Sequence, residues 1–287
     1  MGLLLGIGAA NLDHALDERK YPLLAEQVVS VPQRVLQKDF RDLESRLDQY
    51  FAQRKMPHSV YFEYLKTGTA VKSSESEPQL AASLLKLPAT MDLYRAAETG
   101  KVDLGQEVMI KDEWRDPAFG NLWKSVPGAS ITLGRAAELA LVDSDNTAIN
   151  VVKSAIPDPA SNREGILHSL DIPPRVYTEG RIDAITYSGF LRCLYYSCYL
   201  SRAGSQSVLE DLAANNFPGI ADGVPDDITV ADKTGDFPPT FSSCGIVYVP
   251  ERDYILCVML QETAGEDYRR VFREVSGMVY QAVISAG

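Results

Sequence analysis

Ser83 and Lys86, in the stretch Ala82-Ser83-Leu84-Leu85-Lys86-Leu87-Pro88, stand three positions apart. On a helix this spacing puts both side chains on one face, within reach of each other. A serine hydroxyl is a weak nucleophile near neutral pH and needs a base beside it. Lysine serves as that base only where desolvation or a neighbouring cation makes it release its proton. The pair therefore calls for a second cation close by. Taken alone, the two residues also fit an ordinary solvated helix start, so the case rests on companions elsewhere in the chain.

The elements that must position such a pair can be read from periodicity. From Gln33, the apolar positions Leu36, Phe40, Leu43, Leu47 and Tyr50 follow one face of an amphipathic helix. Residues 59–65, rich in aromatic and β-branched side chains, predict a strand, with a turn at Lys66–Thr69 into a short second strand at Ala70-Val71. After Ser83 a buried helical stripe (Leu84, Leu87, Met91, Tyr94) runs to a glycine cap at Gly100, and Pro88 predicts a kink or a loosened first turn. Residues 101–130 read as loops with short helical turns. Thr132 caps a helix through Leu141, and the polar triplet Ser144-Asp145-Asn146 is wedged between it and the next helix. A triplet so placed lines a cavity or bonds to other parts of the fold, because a buried loop otherwise strands its backbone groups. A helix is expected across 187–200, then strands at 228–235, 245–249 and 254–260, and a last helix carrying Tyr268, Phe272, Val275 and Val279 on one face.

Strands at both ends of the chain join most simply into one antiparallel sheet flanked by helices. The expected fold class is thus α+β, with an all-helical lobe at about 83–215 inserted into a domain spanning 33–287. The cleft between sheet and lobe is bounded by Ser83, Ser144 and Lys233.

Composition narrows the function. With 287 residues, 45% hydrophobic and 23% charged, the chain has the makings of a folded globular protein. A net charge of −11 without a basic run argues against nucleic-acid binding. The four cysteines, Cys193, Cys198, Cys244 and Cys257, form no metal-binding pattern and read as buried free thiols. His14, His58 and His168 share no motif with Ser83, which argues against a serine-histidine-aspartate triad and against a metal centre. Residues 1–32 read as an N-terminal arm: either the remnant of a leader or membrane anchor, or an apolar segment packed on the domain. Its apolar run, 1–10, is too short to span a bilayer and lacks a basic start.

Ser83-Leu84-Leu85-Lys86, Ser144-Asp145-Asn146 and Lys233-Thr234-Gly235, in that order, resemble the three signatures of the class A β-lactamases and penicillin-binding proteins. The resemblance runs from about Gln33 to the C-terminus. It implies a β-lactamase/transpeptidase-like fold and a serine acyl-transfer hydrolase without cofactor or metal. On that reading Ser83 attacks a β-lactam or D-alanyl peptide carbonyl to form an acyl-enzyme, and Lys86 is its base or proton relay. Ser144 passes a proton to the leaving nitrogen, and Asn146 holds the substrate amide or Lys86. Lys233 supplies the second cation and, with Thr234, attracts a substrate carboxylate. Gly235 lets the strand approach the ligand, and the backbone N–H groups of Ser83 and Asp236 form the oxyanion hole. Aspartate at 236 is unexpected beside a developing negative charge.

Between the second and third motifs the chain departs from the family. Class A β-lactamases carry there a loop whose glutamate activates the deacylating water; here Arg175–Ile182 occupies the place and looks shortened. Glu179 is the sole carboxylate available for that role, but the family's following asparagine is missing and the residue reads first as a surface carboxylate, so deacylation is expected to be slow. The alternatives are a penicillin-binding D,D-peptidase and a non-hydrolytic β-lactam-binding sensor domain. The family's substrates imply an extracytoplasmic protein, secreted, periplasmic or membrane-anchored, and a monomer is expected.

Overall fold

The computed structural model describes residues 20–25, 40–74 and 77–286. At its centre lies a five-stranded antiparallel sheet: β1 (His58–Tyr64), β2 (Thr69–Ser74), β7 (Thr229–Phe237), β8 (Thr240–Tyr248) and β9 (Tyr254–Gln261). Their order is β2-β1-β9-β8-β7, which joins the two ends of the chain in one sheet and leaves β7 on an edge. Both faces are covered. On one lie α1 (Arg41–Arg54) and α9 (Tyr268–Ser285), packed through Leu47, Phe51, Phe62, Leu256 and Val275. On the other lie α7 (Ala184–Tyr195) and α8 (Arg202–Ala213), packed through Tyr187, Phe190, Leu209 and Ala231. Burial on both faces explains why β9 reads as an unbroken apolar run from Ile255 to Leu260 instead of alternating.

A separate cluster forms the helical lobe. Here α2 (Lys86–Glu98), α3 (Leu133–Val142) and α4 (Asn146–Ser154) bury Ala89, Leu93, Ala137, Ala140 and Val152 against one another. The many alanines allow close helix approach. The α+β class, the flanking helices and the sheet joining both chain ends therefore stand as expected. However, α7 and α8 lie within the segment read as lobe yet pack on the sheet, α7 on β1, β8 and β9 and α8 on β7.

Several expectations need correction. The helix expected from Gln33 begins, within the described residues, at Arg41; Phe40 is non-helical and reaches the same core by packing edge-on to Phe62 at 4.8 Å, which is why it fell into the helical period. The start expected at Gln33 and the apolar run 1–10 lie outside the described residues. Strand β2 runs to Ser74: as an edge strand with alternate residues exposed it reads polar. Two small antiparallel pairs went unread, β3 (Gln79–Leu80) with β6 (Arg181–Ile182) and β4 (Glu107–Met109) with β5 (Ser130–Thr132), being too short to show a period. Nor are the cysteines free. Cys193 is joined to Cys198 across the end of α7, and Cys244 to Cys257, which the sheet register sets directly opposite each other. Register is a tertiary fact, and spacing along the chain did not reveal it.

Candidate active site

Ser83 sits on a 3₁₀ turn, Ala82–Leu85, that runs directly into α2 at Lys86. The first turn is therefore loosened, as Pro88 predicted; at the third helical position the proline removes only an N–H that the start of a helix leaves unbonded. Ala82 enters the turn with φ +46°, and Ser144 has φ +52°. Each left-handed non-glycine residue costs about 1–2 kcal/mol. Strain of this kind collects at functional sites, and these two residues flank the same lysine.

That lysine gathers three sequence motifs. Lys86 Nζ lies 3.1 Å from Ser83 Oγ, 3.1 Å from Ser144 Oγ and 2.7 Å from Asn146 Oδ1, and also donates to the Ser144 carbonyl. Lys233 Nζ lies 3.2 Å from Ser144 Oγ, so one hydroxyl bridges both amines. Lys86 is 5% exposed and Lys233 is fully buried. Burial, then the Lys233 charge, bring Lys86 down to about 7. Burial brings Lys233 down to about 8, against Asp232 and Asp236, which favour its charged form.

Of the four oxygens around Lys86, the Ser144 carbonyl and Asn146 Oδ1 only accept, whereas the two hydroxyls can also donate. A neutral amine gives its two N–H groups to the first pair and turns its lone pair to the Ser83 hydroxyl. The arrangement can thus draw the proton from Ser83 Oγ while Lys233 keeps a positive charge beside Ser144.

Asp145, the middle residue of the second triplet, has another task. At 1% exposure its carboxylate caps α4 at Ala148 N (2.9 Å) and accepts from Asn121 N (2.7 Å) and Leu122 N (2.8 Å). Gly120 makes room for it, since a Cβ there would fall 2.1 Å from Asp145 Oδ2. Asp145→Ala strands three N–H groups and removes a helix cap, so a stability loss of about 2–4 kcal/mol is expected. At roughly 2–4 °C per kcal/mol the melting temperature should fall by about 5–15 °C, measured by calorimetry.

Gly235 brings β7 against the Ser83 turn: a Cβ there would meet Ala81 O at 2.7 Å and Leu84 Cγ at 3.0 Å. Thr234 and Asp236 lie on the opposite face of β7 from Lys233 and Gly235, as strand alternation requires. The polar support behind β7 went unread in the sequence: Asp232 accepts from Ser243 Oγ (2.7 Å) and Asn215 Nδ2 (2.9 Å). So did Tyr177, whose hydroxyl donates to Leu85 O at 3.3 Å and ties the short helix α6 (Arg175–Thr178) to the nucleophile turn. An aromatic in a polar loop was its one available signal.

Glu179 stands apart from this group. It follows α6, is exposed, and its side chain makes no hydrogen bond or ion pair to the described residues. Only its neighbour's backbone connects to the site, through Ala81 N to Gly180 O at 2.8 Å. His58, buried, is occupied by Met56 O and Ser73 Oγ and stacks on Phe51.

A serine–lysine centre between an antiparallel sheet and a helical lobe defines the β-lactamase-like fold of serine hydrolases. The family model described as "Beta-lactamase enzyme family" matches residues 42–283, and the chain belongs to that family. None of the curated proteins matches the sequence. Among solved structures, PBP-A aligns with a TM-score of 0.77 at 22% identity, covering 85% of this chain and 97% of that one. A PBP-A mutant captured as an acyl-enzyme complex with penicillin G aligns with a TM-score of 0.77 at 21% identity, again covering 85% and 97%. An ancestral class A β-lactamase (GNCA) gives 0.74 at 23%, covering 84% and 99%. At these identities the likeness establishes the fold.

Proposed function

We propose that Ser83 is acylated by β-lactams and that the acyl-enzyme is hydrolysed slowly. The observation that carries this reading is the contact of Lys86 Nζ with Ser83 Oγ at 3.1 Å, in an environment that favours the neutral amine. Lys86 takes the Ser83 proton as Oγ attacks the lactam carbonyl. The tetrahedral oxyanion is held by the backbone N–H groups of Ser83 and Asp236. The C–N bond then breaks, and the proton passes from Lys86 through the Ser144 hydroxyl to the leaving nitrogen. Lys233 and Thr234 hold the substrate carboxylate, and Asn146 orients Lys86 and the substrate amide. Hydrolysis requires an activated water, and the exposed, unpartnered side chain of Glu179 is poorly disposed to supply one. A D,D-peptidase acting on D-alanyl peptides uses the same acylation chemistry, and the position of Glu179 favours it as the second reading.

The protein acts outside the cytoplasm as a monomer on this reading. Two disulfides support that location, since such bonds persist in oxidising compartments. Among the described residues no helix is long and apolar enough to cross a membrane.

Intact-mass measurement during incubation with benzylpenicillin tests the proposal. The expected result is an adduct of one penicillin that persists for many minutes and is absent from Ser83→Ala; no adduct on the unaltered protein would refute it. Acylation should also follow a narrow bell in pH. Below about 7 Lys86 is protonated and cannot accept the Ser83 proton, so the rate rises toward that pH. Above about 8 Lys233 loses its charge, and with it the pull on the substrate carboxylate, so the rate falls. Acylation rates measured from pH 5 to 10 check both limbs.

A further inference from the structure

The unexpected aspartate after the third motif has a setting of its own. Asp236 pairs in register with Phe241 on β8, and Phe241 stacks on Tyr268 of α9, ring centroids 3.8 Å apart and nearly parallel. Tyr268 Oη in turn lies 3.4 Å from Arg269 Nε. Asp236 therefore stands on edge strand β7 just before the turn into β8, hydrogen-bonded to the side chain of Tyr268 and near Arg269, with Thr234 two residues back on the same face. Two residues along a strand span about 6.5–7 Å. Asp236 is half-buried, so its charge acts through a partly water-excluded path. Arg269 is fully exposed and largely screened by salt. The two charges consequently do not cancel at Thr234, and the negative one dominates.

We propose that Asp236 and Arg269 form a charge filter on the rim of the acylation cleft. Asp236 disfavours donors that carry a free carboxylate beside the scissile acyl group, and Arg269 partly offsets it. This rests on the reading of Ser83 as an acylated nucleophile and of Thr234 and Lys233 as the carboxylate's seat. It adds a substrate preference: the rim best admits donors whose carboxylate is masked as an ester or amide. Lys233 still draws a carboxylate in, so the filter lowers the rate for free acids without closing the site. The side chain of Asp236 acts on the substrate's charge, a role separate from that of its backbone N–H.

The test compares second-order acylation rates for benzylpenicillin and its methyl ester, followed by intact mass at pH 7. The quantity read is the acid-to-ester rate ratio, which cancels any general damage to the oxyanion hole. Asp236→Asn is expected to raise that ratio about 5- to 10-fold. Arg269→Ala should lower it about 2- to 3-fold in the unaltered background and leave it unchanged once Asp236 is asparagine. Dependence of the Arg269 effect on Asp236 separates a charge pair from an arginine that binds the carboxylate by itself. A ratio unmoved by Asp236→Asn, or an Arg269 effect that survives it, overturns the filter while leaving Ser83 acylation intact. Absence of any adduct with either substrate overturns the acylation reading, and the filter with it.

Discussion

Lys86→Met is expected to slow acylation of Ser83 by benzylpenicillin about 10³-fold while leaving the melting temperature unchanged or slightly higher. The loss follows from removing the one base that the described residues bring within reach of the serine proton, an effect that typically costs 10²- to 10⁴-fold. Asn146 and Ser144 remain, but neither titrates near neutral pH, and Lys233 Nζ contacts Ser144. The stability side has a separate cause. Lys86 is 5% exposed and shares its pocket with the fully buried Lys233, so both burial and like charge oppose its ammonium form. Methionine keeps most of the volume and removes that conflict, although it leaves the Ser144 carbonyl and Asn146 Oδ1 without their donor. Acylation within about 10-fold of the unaltered protein, at equal stability, would show that Lys86 is not the base. A large fall in melting temperature would show that its bonds to Ser144 and Asn146 outweigh the repulsion.

The second large effect concerns spacing. Gly235→Ala puts a methyl group 2.7 Å from Ala81 O and 3.3 Å from Leu84 N, and these are backbone atoms that cannot rotate aside. Either β7 or the 3₁₀ turn must retreat. β7 carries Lys233 and the backbone N–H of Asp236, while the turn carries Ser83, so the Asp236 donor and the nucleophile separate. Misplacement by a fraction of an ångström to 1 Å is expected to lower the acylation rate by about 10²-fold. Overpacking should cost about 1–3 kcal/mol of stability, since an extra methyl in a filled space forces backbone shifts. Acylation rates and urea denaturation measured on the same preparation check both. A variant with unaltered acylation would mean that β7 and the turn can part without disturbing the site.

Gly235 marks the boundary between what can be read along a chain and what cannot. Its sequence motif announced a close approach of backbone to ligand, but the approach it makes in the fold is to Ala81 and Leu84, 154 and 151 positions away, after α2 and the lobe have been threaded. Asp145 was visible as the centre of a polar triplet between helices. Its work in holding residues 121 and 122 emerged only when the loop was seen folded over it. Phe40 misled in the opposite sense, contributing to a helical period from outside the helix because it enters the same core. The cysteines were misread because Cys244 and Cys257 meet through strand register, whereas Glu179, read chiefly as a surface carboxylate because no asparagine follows it, is indeed exposed.

By itself the sequence determined the α+β class, the sheet built from both ends of the chain, and the identities of Ser83, Lys86, Ser144, Asn146 and Lys233. Periodicity and short motifs are local properties, and these features are written locally. Only the tertiary structure decided the state of the Ser83–Lys86 pair. A lysine becomes a base through loss of water and proximity of like charge, and both come from segments 58 and 147 positions distant in the chain: Ser144, whose strained backbone turns its carbonyl to Lys86, and Lys233, buried on the edge strand beside it.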